Sequence, residues 1–106
     1  MTIVFQTEHY FKANGFDPDN LDRWTDEVLD ILIDSGEAVD ADVTATLTTG
    51  RVIFVFSIEG VDHDEALQRS VALMSKCVEA AVTIDTRWRL ADIVTESATA
   101  KLLQAV

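Results

Sequence analysis

Residues 39–60, VDADVTATLTTGRVIFVFSIEG, carry the pattern that most restricts the fold. Two runs rich in β-branched residues flank Thr49-Gly50, which marks a hairpin. With those two residues as the turn, Thr48 faces Arg51, Leu47 faces Val52 and Ala45 faces Phe54. One face of the pair then gathers Ala41, Val43, Ala45, Leu47, Val52, Phe54, Phe56 and Ile58, all apolar. The other face takes Asp40, Asp42, Thr44, Thr46 and Thr48 from the first strand, but Ile53 and Val55 from the second. The first strand alternates as an edge strand does. The second is apolar on both faces across 52–56, the mark of a strand in the middle of a sheet.

The neighbouring segments supply partners for such a strand. TIVFQTEHYF (2–11) is β-rich and ends before KANGFDPDN, which predicts a first strand. Phe16-Asp17-Pro18 sets an N-cap acid directly before a proline at the first helical position, with Phe16 and Leu21 placed for a hydrophobic staple. A helix over about 18–35 follows, closed by Gly36 at the C′ position. VDHDEAL (61–67) opens a second helix over about 63–81, with Asp62 as cap and Glu65 at the capping-box position. IDTRWRL (84–90) alternates Ile84, Thr86, Trp88 and Leu90 against Asp85, Arg87 and Arg89, which predicts the fourth strand. TESATAKLLQAV (95–106) has Ala98, Leu102 and Ala105 at helical spacing, which predicts a short C-terminal helix.

The order β-α-β-β-α-β is the ferredoxin-like split βαβ pattern of an α+β domain. It predicts four antiparallel strands in the spatial order 4-1-3-2, two helices on one face, and a single domain over residues 1–106. The fold hosts many unrelated functions, so it names none by itself.

Charge is the next constraint. The net charge is −11, and residues 1–65 hold fifteen acids against three bases, Lys12, Arg23 and Arg51. That balance disfavours direct binding to nucleic acid or to an anionic membrane surface. One cysteine, Cys77, excludes an intramolecular disulfide and fits a reducing compartment. The N-terminal residues lack a signal-peptide pattern and no apolar run reaches the length of a membrane span, which predicts a cytoplasmic protein.

On the first helix the acids form a stripe, Asp22, Asp26, Asp30 and Asp34, extended by Asp19 and opposite the apolar side of Leu21, Trp24, Val28, Ile31 and Leu32. Each like-charged i, i+4 pair costs about 0.2–0.5 kcal/mol, so the stripe is not a stability device. A cation, not Asp34, would suit the C-terminal end of the helix dipole.

Catalytic patterns are weak. Cys77 lies mid-helix on the apolar side, where a cysteine acts as a small hydrophobe. His63 falls at a helix N-terminus. DPDNLD (17–22) resembles the start of a calcium loop, but Asp22 and Val28 stand where glycine and glutamate are needed. Arg87, Trp88 and Arg89 resemble a fragment of a nucleic-acid surface on a chain far too acidic for one. No nucleophile–base set, metal-ligand spacing or phosphate loop stands out, so no catalytic residue, metal or cofactor is expected.

These observations predict a non-enzymatic acidic adaptor. It would present Asp19, Asp22, Asp26, Asp30 and Asp34 to a basic protein partner, with mimicry of a phosphate backbone as one form. It would also self-associate as a homodimer through Leu29, Ile33, Ile53, Val55, Leu102 and Leu103. The alternative is a small-ligand-binding regulatory domain that uses the open sheet face near His9 and Tyr10. Successive strand residues point to opposite faces, so these two share a site only if the strand bends.

Overall fold

A computed structural model of the chain describes residues 3–46, 48–84 and 92–105. The elements run β1 (Ile3–Ala13), α1 (Pro18–Asp34), β2 (Val39–Thr46), β3 (Arg51–Gly60), α2 (His63–Ile84) and β4 (Ile93–Ala105). The four strands form one antiparallel sheet in the order β2-β3-β1-β4, as the two-sided apolar run at 52–56 requires. The fold is ferredoxin-like α+β.

Alternation along the two central strands sorts the sheet into a covered and an open face. Phe5, Thr7, His9, Phe11 and Ala13 of β1 and Val52, Phe54, Phe56 and Ile58 of β3 are buried beneath the helices. They meet Leu21, Trp24, Val28 and Leu32 of α1, and Ala66, Leu73, Met74, Cys77, Val78 and Ala81 of α2. Trp24 is enclosed edge-to-face by Phe11, Phe16 and Phe54 at centroid distances of 6.5, 6.0 and 5.9 Å. Phe16 therefore fastens the entry of α1 to Trp24, one turn beyond the staple position. Asp17 caps α1 through the Asn20 amide at 2.8 Å, and Asp62 caps α2 through that of Glu65 at 2.8 Å.

The hairpin pairs Thr46 with Arg51 and Ala45 with Val52, so the turn is longer than the Thr49-Gly50 pair and the register lies two residues from the expected one. A two-residue slip keeps the side chains of residues 42–46 on their expected faces, whereas a register shift between Val39 and Asp42 interrupts the alternation before them. The expected Leu47–Val52 pairing lies outside the described residues on its Leu47 side. Gly50 sets the turn at φ +73°, and its carbonyl accepts from the Ala13 amide at 2.8 Å.

The C-terminal segment corrects the expectation. Residues 93–105 are strand β4, not a helix, and Ile84 closes α2 instead of opening a strand. The rest of the expected strand at 84–90 lies outside the described residues. The apolar positions at helical spacing instead pair along β1: Ala98 with His9, Leu102 with Phe5 and Ala105 with Ile3. Register shifts leave Glu96 and Leu103 as bulged residues, which breaks the strict alternation a strand would otherwise show. No helix among the described residues is long and apolar enough to cross a membrane.

Candidate functional site

The two residues expected to form a ligand site sit on opposite faces of β1. His9 turns under the helices and is 2% exposed, whereas Tyr10 stands on the open face. The imidazole stacks on Phe56 at a centroid distance of 5.1 Å. Thr7 Oγ1 donates to the Phe56 carbonyl at 3.2 Å, which leaves its oxygen to accept from His9 Nε2 at 3.1 Å. That chain assigns the proton to Nε2 and leaves Nδ1 as the basic nitrogen. Burial lowers the His9 pKa to about 4, so the ring is neutral at physiological pH. His9 is thus a polar core residue held by a defined tautomer.

The open face is organised in rows across the sheet. Register places Thr46, Arg51, Lys12 and Val94 in one row. Thr44, Ile53, Tyr10 and Ser97 form the next, and Asp42, Val55, Glu8 and Thr99 the third. An open cleft of about 290 Å³ lies over the first two rows, lined by Tyr10, Arg51, Ile53, Glu96, Ser97 and the strands at Phe11 and Val52. The Tyr10 hydroxyl donates to Glu8 Oε2 at 2.5 Å, and that bond raises the phenol pKa. It also anchors the hydroxyl end of the ring toward Glu8 in the third row. Lys12 and Arg51 lie directly opposite each other, an arrangement that destabilises a strand pair.

The cleft combines an aromatic ring, an aliphatic floor, a hydroxyl and a cation, the mixture that small-molecule sites use. Sequence reasoning reaches Tyr10 as a candidate, and Ile53 as an apolar residue on this face. It misses Arg51, Ser97 and Glu96. Arg51 enters it as a turn neighbour and as one of three bases in residues 1–65, not as a site residue, and the other two belong to a segment with helical spacing. The signal that could have found Arg51 is the scarcity of cations in residues 1–65.

The remaining expected site residues do not join this cleft. Asp19, Asp22, Asp26, Asp30 and Asp34 are all exposed along the outer side of α1. Ile33 is also exposed and Leu29 half-buried on that helix. Val55 is half-buried on the open face, while Leu102 and Leu103 are 60% and 53% exposed near the end of β4. Ile31, Asp34, Ser35, Leu73, Lys76 and Cys77 line a second groove of about 330 Å³ between the helices. Burial pushes the Cys77 thiol pKa up, away from the reactive thiolate. No cluster of potential metal ligands occurs among the described residues.

No protein-family model matches the chain, and no curated protein matches it in sequence. Solved structures do share its fold. The chain is similar to a "putative antibiotic biosynthesis monooxygenase" of Chloroflexus aurantiacus, at 8% identity and a TM-score of 0.56 over 97% of this chain and 95% of that one. A second protein so described, from Nitrosomonas europaea, gives 8% identity and a TM-score of 0.55 over 97% and 90% of the two chains. SnoaB, a cofactor-independent oxygenase from Streptomyces nogalater, gives 13% identity and a TM-score of 0.50 over 96% and 92%. These neighbours overturn the reading as a non-enzymatic acidic adaptor. Proteins that share the fold along nearly their whole length are described as oxygenases, and the acidic stripe is an exposed helix face apart from the sheet cleft.

Proposed function

We propose that this protein binds a small organic molecule in the cleft on its open sheet face, with the Tyr10 ring and Ile53 as the apolar floor and Ser97 and Arg51 as the polar rim. The observation that carries the reading is the convergence of those four side chains on one cavity of about 290 Å³. The description of the structural neighbours as oxygenases favours small-molecule chemistry over protein docking. Ligand-dependent uptake of dioxygen would extend the proposal from binding to catalysis.

The test is a thermal-shift screen with bicyclic aromatic fragments on the parent and on Tyr10→Ala. Fragments that raise the melting temperature of the parent should lose that effect in the variant, whose removed ring lies outside the core. Fragments that stabilise both proteins equally would place binding elsewhere and refute the site.

Self-association also belongs to this reading. Leu102 and Leu103 leave exposed apolar surface at the far end of the sheet from the cleft. A homodimer formed there leaves the cleft open. Light scattering of the parent and of Leu102→Lys/Leu103→Lys tests it: a dimer that the double variant dissolves supports the contact, and a monomeric parent refutes it.

A further inference from the structure

We infer that the cleft selects a carboxylate carried on a flat apolar body, a claim that rests on the small-ligand reading and names the class of ligand. Only three bases occur among residues 1–65 of a chain with net charge −11, and two of them, Lys12 and Arg51, are register partners on the open face. Their row holds no acid, because Thr46 and Val94 flank them on the outer strands. Neither makes an ion pair among the described residues, whereas Arg69 does, with Glu65 at 3.7 Å. Two cations set side by side, neither held in an ion pair among the described residues, work against the sheet. A bound anion removes that conflict.

The rows also dictate orientation. Consecutive rows are two strand residues apart, about 6.7 Å. A carboxylate held by the Arg51 fork in the first row lets a ring system of one or two rings lie over Tyr10 and Ile53 in the second. The reverse orientation would bring the carboxylate against Asp42 and Glu8 in the third row, and like charge excludes it. Glu8 is already the acceptor of the Tyr10 hydroxyl. Glu96, at the β4 bulge, is the one acid that lines the cleft among the described residues and offsets Arg51, so the positive balance at this end comes from Lys12, which stands beside Arg51 in the first row and outside the lining itself. Arginine suits the role because its planar guanidinium meets a carboxylate through two parallel bonds.

The probes are 2-naphthoate and its neutral counterpart 2-naphthalenemethanol, which share the ring system and differ in the charged group. Dissociation constants are measured for the parent, Arg51→Gln and Lys12→Gln, with amide chemical shifts locating each probe. The parent should bind the naphthoate about tenfold more tightly at low salt, as a charged hydrogen-bonded contact implies. Arg51→Gln should remove most of that preference and leave the neutral probe unchanged, and added salt should weaken only the naphthoate. Because the salt series is run on the parent, a poorly folding variant does not decide the matter. Equal affinities for the two probes, both located at Tyr10 and Ile53, would overturn the carboxylate claim and leave the small-ligand reading standing. Binding of neither probe at the cleft, or a cleft closed by a second copy, would overturn both.

Discussion

His9 couples the stability of this fold to pH, and the coupling can be worked out from its surroundings. The ring is 2% exposed, stacked on Phe56 and bonded to Thr7, and burial lowers its pKa from 6.5 to about 4. An unfolded chain therefore takes up a proton at this position before the folded one does. The stability tied to the neutral ring is complete above about pH 6.5 and is lost as pH falls toward about 4. With one pKa unit equal to about 1.4 kcal/mol, moving from about pH 7.5 to about pH 5 removes about 2 kcal/mol. That is a large share of the ~5–15 kcal/mol typical of a domain. Carboxylates begin to titrate over the same range, so the quantity to measure is the difference between the parent and His9→Gln. The substituted amide keeps a side-chain N–H for Thr7 but has no titration in this window. Urea unfolding of both proteins at several pH values should show the parent losing about 2 kcal/mol more than the variant between about pH 7.5 and about pH 5. Parallel pH profiles would refute the reasoning and mean that the imidazole is hydrated in the folded state.

Gly50→Ala should destabilise the fold by about 2–3 kcal/mol in urea unfolding, because the residue holds φ +73° and an added Cβ would collide with the Ala13 carbonyl oxygen. Gly15→Ala, at φ +74° with open space around it, should cost only about 1 kcal/mol, and equal effects at the two sites would refute the clash. Asp26→Asn combined with Asp30→Asn should leave the melting temperature unchanged or slightly higher at low salt, since it relieves like-charge repulsion along α1. A marked loss of stability would show that the stripe has a structural role.

The parts of the fold legible in the sequence are those where local chemistry and tertiary need agree. The start of α1 is readable because Asp17-Pro18 both caps the helix and fixes its first turn, and the Asp17 carboxylate makes that contact. The central placement of β3 follows from Ile53 and Val55, apolar on the face that an edge strand would leave to water. The fourth strand escapes such a reading because Ala, Lys, Leu and Gln in ATAKLLQA are strong helix formers. The free edge of β1 overrides that preference, and β4 pairs along the whole of it. Its two bulges, at Glu96 and Leu103, also hide the period-2 signal. For the site, Tyr10 stands out as a polar aromatic in a strand, but Arg51 and Ser97 become neighbours only through pairings that no local pattern encodes. Composition misleads most, because the acid is concentrated on α1, away from the cleft.

The claim that the open face binds a small molecule is tested most directly by titrating the isotope-labelled protein with 2-naphthoate and mapping the amide shifts. Saturable changes should centre on Tyr10, Arg51, Ile53 and Ser97, with α1 and the outer face of α2 unmoved. Changes centred on the helix–helix groove at Ile31, Leu73 and Cys77, or no saturable change at all, would contradict it.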